Sequence, residues 1–257
     1  MARTFAIGDI HGDLEAVERI LSRFPPLESD DTLVFVGDYI DRGPRSAEVV
    51  ALLRALPEKI PARVVCLRGN HEDAWLQVID AGWTDFVVPR GNGCLETMRS
   101  FKGLPMPNED DGIDIPELKE LASASFFPTE VVAWMRALPF FYEDEQAVYV
   151  HAGLPRKKTP EGSPNAAMPF AHPSEAEPQR ALLWLRDRDF FANYRGKLVV
   201  FGHTTTKQLP PELSSYTPDD PADLWAGPAV AGLDTGAGKG GFLTAIELPA
   251  RRVYESR

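Results

Sequence analysis

An α/β fold is predicted by three features of the sequence. Short β-branched runs alternate with helically spaced apolar segments through the first third of the chain. Each early strand leads directly into a polar, glycine-containing turn, and no internal repeat or linker divides the chain. Residues 1–257 therefore read as one domain, at a length that fits one large unit or two small ones. Hydrophobic residues make up 44% and charged residues 25%, which excludes a disordered chain, a collagen-like fibre and a disulfide scaffold. Lys and Arg number 27 against 38 Asp and Glu, a net charge of −11 that disfavours nucleic acid and anionic lipid as partners. Cys66 and Cys94 are too few for a disulfide framework and read as reduced thiols. No export signal or membrane-spanning apolar run is visible, so a cytoplasmic location is expected.

In chain order, Phe5-Ala6-Ile7 reads as a strand, and Leu14 to Phe24 as a helix with Leu14, Val17, Ile20, Leu21 and Phe24 on one face. Thr32 to Val36 is the second strand, Ala47 to Leu56 the second helix, Val64 to Leu67 the third strand, and Glu72 to Ile79 the third helix. This alternation predicts a βαβαβ unit with parallel strands covered by helices. The segment from about Asp80 to Leu138 is mainly helical in pattern, interrupted by an acidic loop (Glu109, Asp110, Asp111, Asp114) that reads as solvated. Phe140 to Tyr142 and Ala147 to Val150 are strand-like; residues 155–179 are a Pro-rich surface loop; Ala181 to Phe191 reads as a short amphipathic helix. Leu198 to Phe201 is a buried strand, and Pro210 to Pro228 is loop. The tail runs Val230–Leu233, Phe242–Leu248 and Arg252–Tyr254 are expected to be antiparallel strands closing a second sheet.

The chemistry sits at the strand ends, where open α/β sheets collect ligands. The turns there carry Asp9, His11, Asp38, Asn70, His71, His151 and His203. One such residue alone is an ordinary turn or a surface histidine. Five strand-end motifs holding four of the chain's five histidines are not coincidence. His172, in Ala-His-Pro, reads as a surface residue. Carboxylate, imidazole and amide oxygen form a donor set for Mn, Fe or Zn. One ion takes three or four protein ligands, so this set is too large for one and fits two ions sharing a carboxylate. Such pairs suit in-line displacement at phosphorus.

Gly-Asp-Ile-His-Gly (8–12), Gly-Asp-Tyr-Ile-Asp-Arg-Gly (37–43), Gly-Asn-His-Glu (69–72), His-Ala-Gly (151–153) and Gly-His (202–203) resemble, in order and spacing, the signature of the bacterial phosphoprotein phosphatase type within the calcineurin-like metallophosphoesterase superfamily. The resemblance runs from about Thr4 to Leu248. It implies a β-sandwich of two mixed sheets flanked by helices, a four-layer αββα arrangement. It assigns Asp9, His11 and Asp38 to one divalent metal, and Asp38, Asn70, His151 and His203 to a second, with Mn²⁺ expected and Fe or Zn admitted. It further implies direct attack by a metal-bridging hydroxide, His71 as general acid, Asp41 as its partner and Arg42 as a phosphate grip. Leu182-Leu183-Trp184-Leu185-Arg186 resembles the stretch that supplies a second phosphate arginine, so Arg186 is favoured, with Arg188 as competitor; Arg68 reads as structural.

The His-Ala-Gly and Phe-Gly-His-Thr forms, with Asp234-Thr-Gly and Gly240 to Ala245, resemble bacterial members, which include protein phosphatases and diadenosine tetraphosphate hydrolases. The expected substrate is a phosphoprotein or phosphopeptide carrying phosphoserine, phosphothreonine or phosphotyrosine. Glu72 and the complete Asp41-Arg42 pair favour it over the alternative, a dinucleoside polyphosphate. That alternative needs an adenine pocket, for which Trp75, Trp83, Phe86 and Trp225 are the candidates, although core packing explains most aromatics better. A non-catalytic phosphoprotein-binding module ranks last, because no ligand or acid is missing.

Overall fold

The computed structural model describes residues 2–108, 111–158, 169–214 and 224–257. Its strands are β1 (Thr4–Ile7), β2 (Thr32–Phe35), β3 (Arg63–Cys66), β4 (Phe141–Glu143), β5 (Val148–Val150), β6 (Val199–Phe201), β7 (Trp225–Ala226), β8 (Val230–Gly232), β9 (Thr244–Leu248) and β10 (Arg252–Glu255). Its helices are α1 (Leu14–Arg23), α2 (Ser46–Lys59), α3 (Asn70–Ala81), α4 (Cys94–Lys102), α5 (Ile115–Ser123), α6 (Thr129–Ala137) and α7 (Arg188–Asn193). The first sheet has the order β10-β9-β1-β2-β3 and the second β4-β5-β6-β8-β7; both are mixed.

The period-two alternation of each strand explains the layering. In the first sheet Phe5, Ile7, Leu33 and Phe35 pack against the helices of the N-terminal half, while Ala6, Val34 and Val65 point the other way. There they meet Tyr149, Val200 and Ala231 of the second sheet. The alternate residues of that sheet, Val148, Val150, Val199, Phe201 and Val230, pack beneath Leu182, Phe190 and Phe191. Two sheets sharing an apolar interlayer, each covered outside by helical segments, form the expected αββα sandwich.

The βαβαβ unit is as the sequence predicts: β1, β2 and β3 pair in parallel, with Thr4 opposite Thr32 and Leu33 opposite Val64. Asp13 caps α1 by accepting the Ala16 N–H at 3.0 Å. The charged loop resolves partly into another cap, Asp114 accepting the Glu117 N–H at 2.7 Å at the start of α5; Glu109 and Asp110 lie outside the described residues.

Three expectations are corrected. The tail does not close the second sheet alone: β8 joins it parallel to β6, whereas β9 returns to the first sheet antiparallel to β1, carrying β10 with it. Crossing takes place between Leu233, whose N–H still bonds Phe201 O, and Thr244, whose carbonyl accepts the Gly8 N–H. Residues 181–191 are not one helix. A 3₁₀ turn (Gln179–Leu183) stops at Trp184, and α7 restarts after Asp187 accepts the Asp189 N–H at 2.8 Å. That aspartate offers the backbone a local alternative to continuing the turn. Finally, residues 210–228 are not all loop: Pro211–Leu213 is a 3₁₀ turn and β7 an edge strand, with 215–223 outside the described residues. Among the described residues, no helix is long and apolar enough to cross a membrane.

Candidate metal centre

The three N-terminal turns are tied to one another before any ligand is considered. The Ile10 and His11 N–H groups donate to Asp38 O at 3.0 and 2.9 Å, Gly12 N–H to Tyr39 O at 2.9 Å, and Gly43 N–H back to His11 O at 2.9 Å. Glu72, fully buried in the first turn of α3, accepts three more N–H groups, from Asp38 (3.0 Å), Tyr39 (2.8 Å) and Gly69 (3.0 Å). The turns are also strained. Among the described residues seven non-glycines have positive φ, and five of them are His11, Asp38, Asp41, Arg42 and His203. Conformations this costly for L-residues persist where surrounding bonds over-determine them. Close approach needs glycine too: a Cβ on Gly202 would sit 1.9 Å from Asp9 Oδ1, and one on Gly69 2.2 Å from the Asp38 nitrogen.

Asp38 stands between two clusters of possible ligand atoms, one with His11 and His71, the other with His151 and His203. Its Oδ2 lies 3.4 Å from His11 Nε2 and 3.9 Å from His71 Nε2, and its Oδ1 lies 3.4 Å from His151 Nε2. The histidine tautomers follow from their partners. His11 Nδ1 lies 3.0 Å from Ile40 O and His151 Nδ1 2.9 Å from Val36 O, and a carbonyl can only accept, so Nδ1 carries the hydrogen in both. In the neutral rings Nε2 is then a lone pair aimed inward. For His11 it has no hydrogen-bond partner among the described residues. For His151 it faces two oxygens, Asn70 Oδ1 at 2.9 Å and Asp38 Oδ1 at 3.4 Å. His203 Nδ1 points at the same Asn70 oxygen at 2.7 Å, and its buried Nε2 has no hydrogen-bond partner among the described residues. Buried lone pairs that converge on oxygens repel until a cation lies between them, so this donor set fits divalent metal. Asp9 is buried next to these groups, with both carboxylate oxygens accepting the His203 N–H, at 3.1 and 3.0 Å.

The electrostatics agree. Burial pushes the Asp38 carboxyl upward, but the imidazoles of His151, His71 and His11 outweigh it and hold the group far below the usual carboxylate range. Burial and the Asp38 charge raise Asp9 well above that range. Burial lowers His11 well below its ordinary value and, with His151 and Arg186 close by, brings His203 down to about 2. Both histidines are thereby kept as neutral donors. His71 behaves oppositely: burial lowers it, but Asp38 and Asp41 prevail and raise it.

His71 Nδ1 lies 2.7 Å from Asp41 Oδ2, and Trp75 Nε1 donates to both Asp41 oxygens at 3.0 and 3.1 Å. The Asp41 N–H is held by Thr97 Oγ1 (2.7 Å) and Ser46 Oγ (3.1 Å). His71 Nε2 lies 3.3 Å from Arg42 Nη2 and 3.9 Å from Asp38 Oδ2, and the buried Arg42 Nε has no partner among the described residues. Arg186 and Arg188 are both exposed; the charge of Arg186 bears on His203, whereas Arg188 pairs with Glu212. Arg68 is structural, donating to Arg136 O at 2.6 Å and covering the Phe140 ring. His172 is at the surface between Ser174 and Glu143. Trp75 and Trp225 are core residues, and Cys66 and Cys94 are free thiols.

The sequence reading gave Glu72 no structural part; its position three residues after Gly69 at a helix start is a capping signal that points to one. It also gave no part to Trp184, which lies 6.1 Å from the His203 ring, centroid to centroid, or to buried Asp234, paired with Lys239 at 3.3 Å.

The fold and the centre are those of a calcineurin-like phosphoesterase, and the model of that family matches residues 2–207; the chain belongs to it. It is 30% identical over 151 residues to the symmetrical bis(5'-nucleosyl)-tetraphosphatase of Dechloromonas aromatica, a match spanning 59% of this chain and 44% of that relative. Its fold is similar to that of a cold-active protein-tyrosine phosphatase from a psychrophilic Shewanella (TM-score 0.53, 18% identity, 99% of this chain and 77% of that one). It is also similar to a protein serine/threonine phosphatase from Saccharomyces cerevisiae (TM-score 0.50, 18% identity, 99% and 79%).

Proposed function

We propose that this chain hydrolyses phosphomonoesters on proteins with the help of two divalent metal ions. The carrying observation is the His71–Asp41 pair, held at 2.7 Å with Nε2 on the side of Asp38 and Arg42. An alkoxide or phenoxide is a poor leaving group and needs a proton as the ester bond breaks. A nucleoside phosphate leaves as a weak base and gains far less from a built general acid. In this reading Asp9, His11 and Asp38 hold one ion, and Asp38, Asn70, His151 and His203 the other, with Mn²⁺ the expected metal. Bound ions supply charge neutralisation at the phosphate and lower the pKa of water toward ~7. The protein's own groups do the rest: Arg42 and Arg186 orient the phosphate oxygens, Asp41 fixes the His71 ring, and His71 delivers the proton from Nε2.

Hydrolysis of a dinucleoside polyphosphate is the second reading, favoured by the likeness to the Dechloromonas tetraphosphatase. The two separate in a rate comparison in Mn²⁺ of phosphoserine, phosphothreonine and phosphotyrosine peptides against diadenosine tetraphosphate, with Asp38→Asn as blank. A higher kcat/KM on any peptide is expected; a higher value on the dinucleotide replaces the first reading with the second.

A further inference from the structure

Two indoles at the rim of the centre have no part in the chemistry above. Six large hydrophobic side chains are exposed among the described residues, and the two aromatic ones are Trp83 (37% exposed) and Trp184 (39%). They lie together. Ring centroids run from His71 to Phe86 (5.4 Å), Phe86 to Trp83 (5.7 Å), Trp83 to Trp184 (6.2 Å) and Trp184 to His203 (6.1 Å). This arc of rings reaches from the proposed general acid to a proposed metal ligand. The two indole planes meet at 68° in edge contact, and each residue keeps more than a third of its surface exposed.

We infer that Trp83 and Trp184 form a clamp for the aryl ring of phosphotyrosine, which makes aryl phosphates on proteins the preferred substrate class. The inference rests on the phosphomonoesterase reading and narrows it. Its basis is proximity. In phosphotyrosine only the ester oxygen separates phosphorus from the ring, so a phosphate at the metal centre brings the ring among its immediate neighbours. Trp184 is such a neighbour, in edge contact with the His203 ring at 81°. In a dinucleoside tetraphosphate cleaved symmetrically, a ribose and one further phosphate lie between the attacked phosphorus and the base, which carries the base past the rim. Phosphoserine has no ring to place. The clamp carries no charge of its own, as an uncharged ring requires, while Arg42 and Arg186 remain for the phosphate.

An edge-to-face or offset aromatic pair contributes about 0.5–1.5 kcal/mol beyond area burial, a factor of roughly two to twelve. Two peptides of identical sequence, one with phosphotyrosine and one with phosphoserine, measure it. The wild-type protein is expected to favour phosphotyrosine about tenfold or more in kcat/KM. Trp184→Leu should reduce that ratio about tenfold, mainly through KM, and Trp184→Phe should recover most of it; Trp83→Leu should act in the same direction. Inhibition of the unmodified protein gives a check independent of any variant's folding: phenylphosphonate should bind about tenfold tighter than methylphosphonate. A ratio unmoved by Trp184→Leu, equal losses on both peptides, or equal phosphonate affinities overturn the clamp alone. Preference for diadenosine tetraphosphate over both peptides overturns the phosphomonoesterase reading and the clamp with it.

Discussion

His71 and Asp38 sit one hydrogen bond apart, the His71 N–H donating to Asp38 Oδ1 at 3.0 Å, yet their substitution should fail in different ways. His71→Asn removes the proposed proton donor and leaves the candidate metal ligands in place. It should lower turnover of an alkyl phosphate at least a hundredfold and that of p-nitrophenyl phosphate far less, with metal content unchanged. Equal losses on both substrates would count against the general acid. Asp38→Asn removes the carboxylate common to both clusters, so metal content and activity should fall together; a variant that retains two ions and full turnover would refute the shared ligand. The candidate residues were legible because each is a polar side chain in a glycine-flanked turn at a strand end. Trp184 and Glu72 were not. A tryptophan in an apolar run and a glutamate at a helix start each have commonplace explanations, and only the packing shows what they touch. Arg186 and Arg188 are two residues apart, and only the break before Asp187 separates them, leaving Arg186 ahead of α7 and Arg188 as its first residue.

Elements were easiest to read where local chemistry and burial agree, as in the βαβαβ unit, whose strands and helices fall within a few residues of expectation. The 179–193 segment was harder, since apolar spacing carries no record of an aspartate that caps inside the run. The entry to β1 offers a test. Arg3 donates to Asp31 through Nε at 3.0 Å and its backbone N–H at 3.2 Å, and Glu28 N–H adds a bond at 2.9 Å, joining the starts of β1 and β2. Burial raises the Asp31 carboxyl, but Arg3 and the backbone N–H groups outweigh it and hold it below its ordinary value. A depressed carboxylate contributes stability above its unfolded pKa of about 3.9, and that contribution is lost as pH falls through the folded value. Asp31→Asn should cost about 2 kcal/mol in urea unfolding at pH 7. The gap to wild type should close below about pH 4; a gap independent of pH would contradict the latch.

For the whole molecule, membership of strands in one sheet or the other was the part least legible, because alternation says that a strand has an inner face and not which partner it meets. The interlayer joins Ala6 and Val34 of one sheet to Tyr149 and Val200 of the other, so we expect residues 1–257 to unfold in a single transition by calorimetry. Metal should move that transition. Asp9, Asp38 and Asp234 are buried close together, and burial, with their mutual repulsion added, raises Asp9 and Asp234. Chelation should lower Tm, and Mn²⁺ at a hundredfold excess over Kd should restore about 2.7 kcal/mol per site. An unchanged Tm would argue against metal in this centre.

The return of β9 to β1 also sets a timetable for synthesis. Ile7 finds its antiparallel partner at Ala245, so that flank of β1 stays unpaired while the intervening residues are made. At translation rates of roughly 5–20 residues per second this lasts on the order of ten to fifty seconds. Throughout that interval an apolar strand edge is exposed on the ribosome, open to chaperones and to neighbouring nascent chains.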